Sequence, residues 1–88
     1  MKVSSETCLE TVRQVIASGD AREVPTAEDA IAVFVGAHDG PGRQTGALNV
    51  VDEQLDKEWL TPEGRQAGVI GRLSEYVWTR MQRLKRQN

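Results

Sequence analysis

Residues 70–84 read Ile-Gly-Arg-Leu-Ser-Glu-Tyr-Val-Trp-Thr-Arg-Met-Gln-Arg-Leu, and their spacing predicts an amphipathic helix. At about 100° per residue, the apolar side chains at positions 70, 73, 77, 81 and 84 fall within an arc of about 80°. This arc is the predicted core face. Upstream, Thr61 suits an N-cap and Pro62 suits the first helical position. The predicted terminal helix therefore runs from about residue 62 to residue 86.

The same helix carries a basic stripe outside the core arc. Residues 72–88 hold five bases and one acid, whereas residues 1–71 hold six bases and twelve acids. Arg83 and Arg86 fall within about 40° of Arg72, with Tyr76 and Arg80 on the same flank. Three interpretations remain open: a solvated face, a contact with an acidic protein surface, and a contact with nucleic acid. The acidic surface includes the chain's own acidic helices in a neighbouring copy.

Trp78 lies on the other edge of the core arc, about 60° beyond Met81. A tryptophan at the margin of a core can be purely structural. Tryptophan is also enriched in the anchors of protein–protein interfaces. We therefore treat Trp78 as a candidate contact residue, together with Trp59.

Two further helices are predicted in the first half of the chain. The first runs from about Ser5 to Ser18, with a serine cap at position 4 or 5 and Gly19 as a left-handed stop. The second follows Val24-Pro25, with Thr26 as its N-cap. Residues 30–36 are rich in β-branched residues and apolar on every side, so they also fit a short buried strand. The cap favours the helix, which would then lie in the centre of the packing.

Residues 39–49 contain three glycines and a proline and predict a loop. A short acidic helix is predicted over residues 50–60, with apolar side chains about four residues apart. Beyond it, small residues near the start of the terminal helix have two interpretations: a smooth strip that would let another backbone approach closely, or a fray or bend near Gly68, with the well-formed helix beginning only around Val69. The strip comprises Gly64, Ala67, Gly68 and Gly71.

These elements predict an all-α fold, a small bundle of three to four helices in one domain spanning residues 1–88. A domain of 88 residues buries too little surface for a large stability margin. Cys8 is the only cysteine and His38 the only histidine, so neither a disulfide nor a zinc site can reinforce it. Self-association is the remaining way for such a small domain to gain stability, and we expect a homodimer.

We expect a soluble, cytoplasmic protein. The longest apolar run, residues 30–37, is much shorter than the roughly twenty residues that span a bilayer. The first residues lack the apolar stretch of a signal peptide.

No catalytic motif is complete. Residues 40–46 resemble a phosphate-binding loop, but the Lys-Ser/Thr pair that the P-loop requires is replaced by Ala47-Leu48. His38 and Asp39 are adjacent and would point about 100° apart on a helix, so they do not form a base with its orienting acid. Cys8 lies on an apolar face, where a thiol is inert. We therefore predict no enzymatic activity, no cofactor and no metal.

The sequence favours a small protein-interaction module, such as a regulator, adaptor or inhibitor of the kind that phages and mobile elements carry. Its partner would be another protein. The alternative is a nucleic-acid-binding regulator that uses the basic C-terminal helix, which would require a helix-turn-helix near residues 60–62. The predicted partner-binding residues are Arg72, Tyr76, Trp78, Arg80, Arg83, Arg86 and Trp59.

Overall fold

The computed structural model describes residues 4–60 and 66–87, and these residues form four α-helices and one 3₁₀ turn. Helix α1 spans Ser5–Ser18, α2 Val24–Gly36, α3 Gly40–Trp59 and α4 Ala67–Gln87; the 3₁₀ turn, Ala21–Glu23, precedes α2. Within these residues there is no strand, so the all-α prediction is confirmed.

Helix α1 begins and ends as the sequence predicts. The Ser4 hydroxyl accepts a hydrogen bond from the backbone N–H of Thr7 at 3.2 Å. Gly19 has a φ of 64°, and its backbone N–H donates to the carbonyls of Val15 and Ile16. A left-handed residue at this position satisfies carbonyls at the end of the helix.

Residues 30–36 are helical, and the alternative of a short strand is wrong. The prediction of Thr26 as N-cap is also wrong. The N-cap is Glu23, three residues earlier, so helix α2 begins at Val24 with Pro25 in its first turn. The chain enters this helix from the 3₁₀ turn, where the Asp20 carboxylate accepts from the backbone N–H of Arg22 at 2.9 Å.

The prediction of a loop over residues 39–49 is wrong, because α3 begins at Gly40. Gly40 has a φ of 82°, which turns the chain from the end of α2 into the new helix. Pro41 follows in the first turn, where a missing N–H costs no hydrogen bond. Ala47 and Leu48 are buried, and this tertiary packing outweighs the low helix propensity of the glycines.

Helix α4 has the predicted C-terminal end, and its N-terminal boundary is partly described. The predicted start near Pro62 lies outside the described residues. Gln66 precedes the helix, and its carbonyl accepts from the backbone N–H groups of Val69 and Ile70. A Cβ built on Gly68 or Gly71 would meet nothing within 4 Å, so none of the other described helices packs closely against these two glycines. Gly64 is outside the described residues.

The buried side chains form one apolar cluster to which all four helices contribute. Each of the four helices contacts the other three, so these contacts do not single out α2 as the centre of the packing. Helix α1 packs mainly on α2, and α4 packs mainly on α3. The largest of the fully buried side chains in this core are Ile16, Ile31, Leu48, Leu55, Ile70 and Leu73.

Candidate protein-interaction surface

Helix α4 concentrates positive charge that the rest of the described chain does not neutralise. It contains five bases and one acid. The described residues hold two ion pairs, Glu10–Arg13 and Asp20–Arg22, and both lie far from α4 in the sequence. Within that part of the chain no carboxylate pairs with a base of α4. These bases are Arg72, Arg80, Arg83, Lys85 and Arg86.

Tyr76 and Arg80 form a defined pair on one flank of α4. The Arg80 Nη1 donates to the Tyr76 hydroxyl at 3.2 Å, and the guanidinium carbon lies 5.7 Å from the centre of the tyrosine ring. Both side chains are half-buried. Stacking on an aromatic ring fixes the orientation of a guanidinium. Arg80 is therefore held in place.

Arg72 and Tyr76 line a groove of about 370 Å³ between the start of α2 and α4. Glu28 and Glu75 line the same groove, and Pro25 forms part of its α2 side. The charges here have both signs. This groove is suited to a polar or zwitterionic surface.

Arg80 and Arg83 line a second cavity, of about 220 Å³, at the other end of α4. Gln44 from the start of α3 completes it, because the two helices run antiparallel. The Gln44 amide nitrogen donates to the His38 carbonyl at 3.1 Å, which fixes this side chain. Sequence reasoning placed Gln44 in a loop and missed it. The helical spacing of α4 contains no information about a residue that α3 contributes to the same cavity.

Trp78 and Trp59 line neither cavity. Trp78 lies in the middle of α4 and is 62% exposed; Trp59 is 45% exposed at the end of α3, next to Leu60 at 88%. Arg86 is exposed as well. The structure therefore divides the predicted residues into two cavities and a set of exposed side chains.

In the acidic segment of α3, Glu53 and Asp56 are exposed, whereas Asp52 and Glu58 are half-buried. Partial burial raises the pKa of the Asp52 carboxyl, and the nearby charges of Asp56 and Glu53 raise it further. The Gln54 side chain donates to the Glu58 carboxylate at 2.8 Å. Within residues 4–60 and 66–87, no group of three acids, histidines or cysteines is placed to hold a metal ion.

The surroundings of Cys8 and His38 indicate a structural role for both side chains. Cys8 is completely buried, and burial raises the pKa of its thiol to about 11. The His38 Nδ1 donates to the Phe34 carbonyl at 2.9 Å, and the imidazole meets the Phe34 ring edge-on at 5.0 Å. The His38 side chain therefore satisfies a backbone carbonyl at the C-terminal end of α2.

In the described part of the chain, no helix combines the length and apolar character that crossing a bilayer requires. Comparison with known proteins gives no relative: no protein-family model, no curated protein and no solved structure matches this chain.

Proposed function

We propose that the chain is a small protein-interaction module, which acts by binding another protein through α4. The observation that carries this proposal is Trp78, a large apolar side chain that is 62% exposed in the middle of a helix. Tryptophans in such positions are typical anchors of protein interfaces.

The free energy available at Trp78 is large enough to matter. If a partner covers the exposed part of the indole, roughly 150 Å² of surface leaves water, which contributes about 3–4 kcal/mol. Association and side-chain ordering oppose this term, so Trp78 alone does not give a stable complex. In this proposal Trp78 supplies one large apolar contact of the interface.

The charge of α4 supports an acidic partner surface. Complementary potentials steer association and select partners, and the bases of α4 are free of carboxylate partners within the described residues. An acidic helix of another protein supplies this complement. A second copy of this chain supplies it too, through Asp52, Glu53, Asp56 and Glu58 of α3.

We propose further that the four helices are a small bundle which self-association completes, so that the working form is a homodimer. Its small size supports this, since a domain of 88 residues has a limited core. Trp59 and Leu60 add exposed apolar surface at the end of α3. A dimer that covers them removes this surface from water.

The test compares Trp78→Ala with Val33→Ala, a matched truncation of an exposed apolar residue on α2 that is 54% exposed. Each variant is used as bait in affinity capture from the source cell, and its mass is measured by sedimentation. We expect Trp78→Ala to lose the partner or the dimer, and Val33→Ala to keep both. Equal behaviour of the two variants contradicts the role of Trp78, and a strict 9.7 kDa monomer of the unmodified chain contradicts the homodimer.

Nucleic-acid binding is the second candidate, because the five bases of α4 are also suited to phosphates. The helix before it is acidic, with four acids in its second half, and would repel a duplex close by. The junction that a helix-turn-helix needs lies mostly outside the described residues. A duplex DNA titration at low salt that shows binding, with a steep loss as salt is added, would favour this candidate.

A further inference from the structure

We propose that Arg80 and Arg83 form a binding site for a carboxylate on the partner protein, in the cavity between the start of α3 and the end of α4. The inference rests on the proposed function, because it names the chemistry of that partner: an acidic peptide segment.

The cavity presents hydrogen-bond donors against an apolar wall. Two guanidiniums and the amides of Gln44 and Gln87 line it, with the nearly buried Leu84, and no acid does. Its volume of about 220 Å³ accommodates one side chain of the size of glutamate together with water. An ionised carboxylate accepts up to four hydrogen bonds, and a guanidinium offers its donors as a planar fork.

Arg80 is set in place before any ligand arrives. Its Nη1 is bound by the Tyr76 hydroxyl at 3.2 Å, and the side chain is half-buried. The remaining guanidinium donors have no carboxylate within 4.0 Å among the residues described. A partly desolvated cation without a counter-ion gains more from an incoming anion than a fully solvated one. Fixing the donor in advance also lowers the entropy lost on binding.

Arg83 lies one turn further along α4, about 60° around the helix from Arg80. Residues three apart on a helix are neighbours on its surface. Arg83 is exposed, so it can close over a carboxylate that Arg80 has already bound. Gln44, held by the His38 carbonyl, bounds the opposite side.

The two segments that flank the cavity are basic. Residues 40–51 and 76–87 contain no acid, and they lie next to each other because α3 and α4 are antiparallel. Together they hold five bases: Arg43, Arg80, Arg83, Lys85 and Arg86.

A peptide carboxylate fits this site better than a nucleic-acid backbone. The cavity takes a single anionic group, whereas a phosphate chain continues in both directions over the surface. Residues 4–60 hold four bases and eleven acids, so most of that surface repels a long polyanion. A short acidic segment needs only the two arginines, and its apolar side chains can contact Leu84.

The test measures binding of a fluorescein-labelled peptide of alternating glutamate and leucine by fluorescence anisotropy, with a glutamine–leucine peptide as the matched probe. We expect only the glutamate peptide to bind. Arg83→Gln should weaken this binding about tenfold, as loss of a charge-assisted hydrogen bond does. Arg83→Lys keeps the charge but loses the fork, and should weaken it nearly as much.

Lys57→Gln is the control, because it also removes one positive charge, from an exposed side chain near the end of the neighbouring helix α3. Lys57 is about 20 Å along α3 from Gln44, which lines the cavity, and this is beyond the Debye length of about 10 Å at 0.1 M salt, so binding should change less than about twofold. Arg80→Gln should also weaken binding, and circular dichroism verifies that this half-buried variant folds. Arg83 is exposed, so its variants test the site without that concern.

Three results overturn the site: equal weakening by Lys57→Gln and Arg83→Gln, equal binding of the glutamine peptide, or tighter binding of single-stranded DNA of the same charge. The outcome is separable from that of the proposed function. A partner that is captured through Trp78 and is indifferent to Arg83→Gln leaves the function standing and removes the site. Specific binding of the glutamate peptide without any captured partner supports the site and removes the proposed function.

Discussion

The structure indicates whether replacing Gly19 by alanine raises or lowers the free energy of unfolding. Its φ of 64° is a conformation that costs an alanine about 1–2 kcal/mol. A Cβ at this position would also meet the side chain of Gln66, whose flexible end can move away at little cost. The substitution reduces the entropy of the unfolded chain, which offsets about 0.4–1 kcal/mol. We therefore expect Gly19→Ala to lower the free energy of unfolding by about 1 kcal/mol.

Gly71→Ala is the matched control. Gly71 lies inside α4, and a Cβ there would meet nothing within 4 Å. Alanine is favoured over glycine in a helix interior by about 1 kcal/mol, so this variant should be more stable than the unmodified chain. The same chemical change should thus act in opposite directions at the two glycines.

Thermal and urea unfolding followed by circular dichroism measure both variants. A change of 1 kcal/mol shifts the Tm of a domain of this size by about 4–8 °C, downward for Gly19→Ala and upward for Gly71→Ala. A rise in Tm for Gly19→Ala would refute the argument that α1 ends at a residue that must adopt a left-handed conformation. Adding Gln66→Ala separates the two causes, because recovery of the Tm in the double variant would assign the loss to the contact with Gln66 and not to the backbone.

Two further predictions concern the core. Ile31→Ala should lower the free energy of unfolding by about 2–5 kcal/mol, because the Ile31 side chain is fully buried in the core; a loss below 1 kcal/mol in urea unfolding would contradict this burial. Cys8 should resist iodoacetamide at pH 8 in the folded protein and react once urea unfolds it, and rapid labelling of the native state would contradict its burial. Burial raises the pKa of Cys8 from 9.0 to about 11, so the folded state keeps a proton that the unfolded state loses. Stability should therefore be insensitive to this group below pH 9 and fall between pH 9 and pH 11, and Cys8→Ala should remove this part of the slope.

The sequence predicts most of the helices because their signals are local. Ser4 and Gly19 bound α1 through contacts with residues three or four positions away, and such contacts are readable from spacing. Residues 40–49 have no such signal. Their glycines indicate a loop, and the helix forms there because Ala47 and Leu48 pack against other helices.

The candidate site was predictable only along α4. Helical angles bring Arg80 near Tyr76 and Arg83, and the structure shows the first of these contacts directly. The residues contributed by other helices, Glu28 and Gln44, were missed. Their proximity depends on how α2 and α3 cross α4, which no pattern within one helix encodes.

The packing of each helix on its neighbour in sequence, α1 on α2 and α3 on α4, has a kinetic consequence. Contacts between neighbouring segments require only short loops to close, so little chain entropy is lost before the first apolar contacts form. Helical domains with such local contacts fold in microseconds to milliseconds. A partner therefore meets a surface that is already assembled, and recognition does not have to wait for folding.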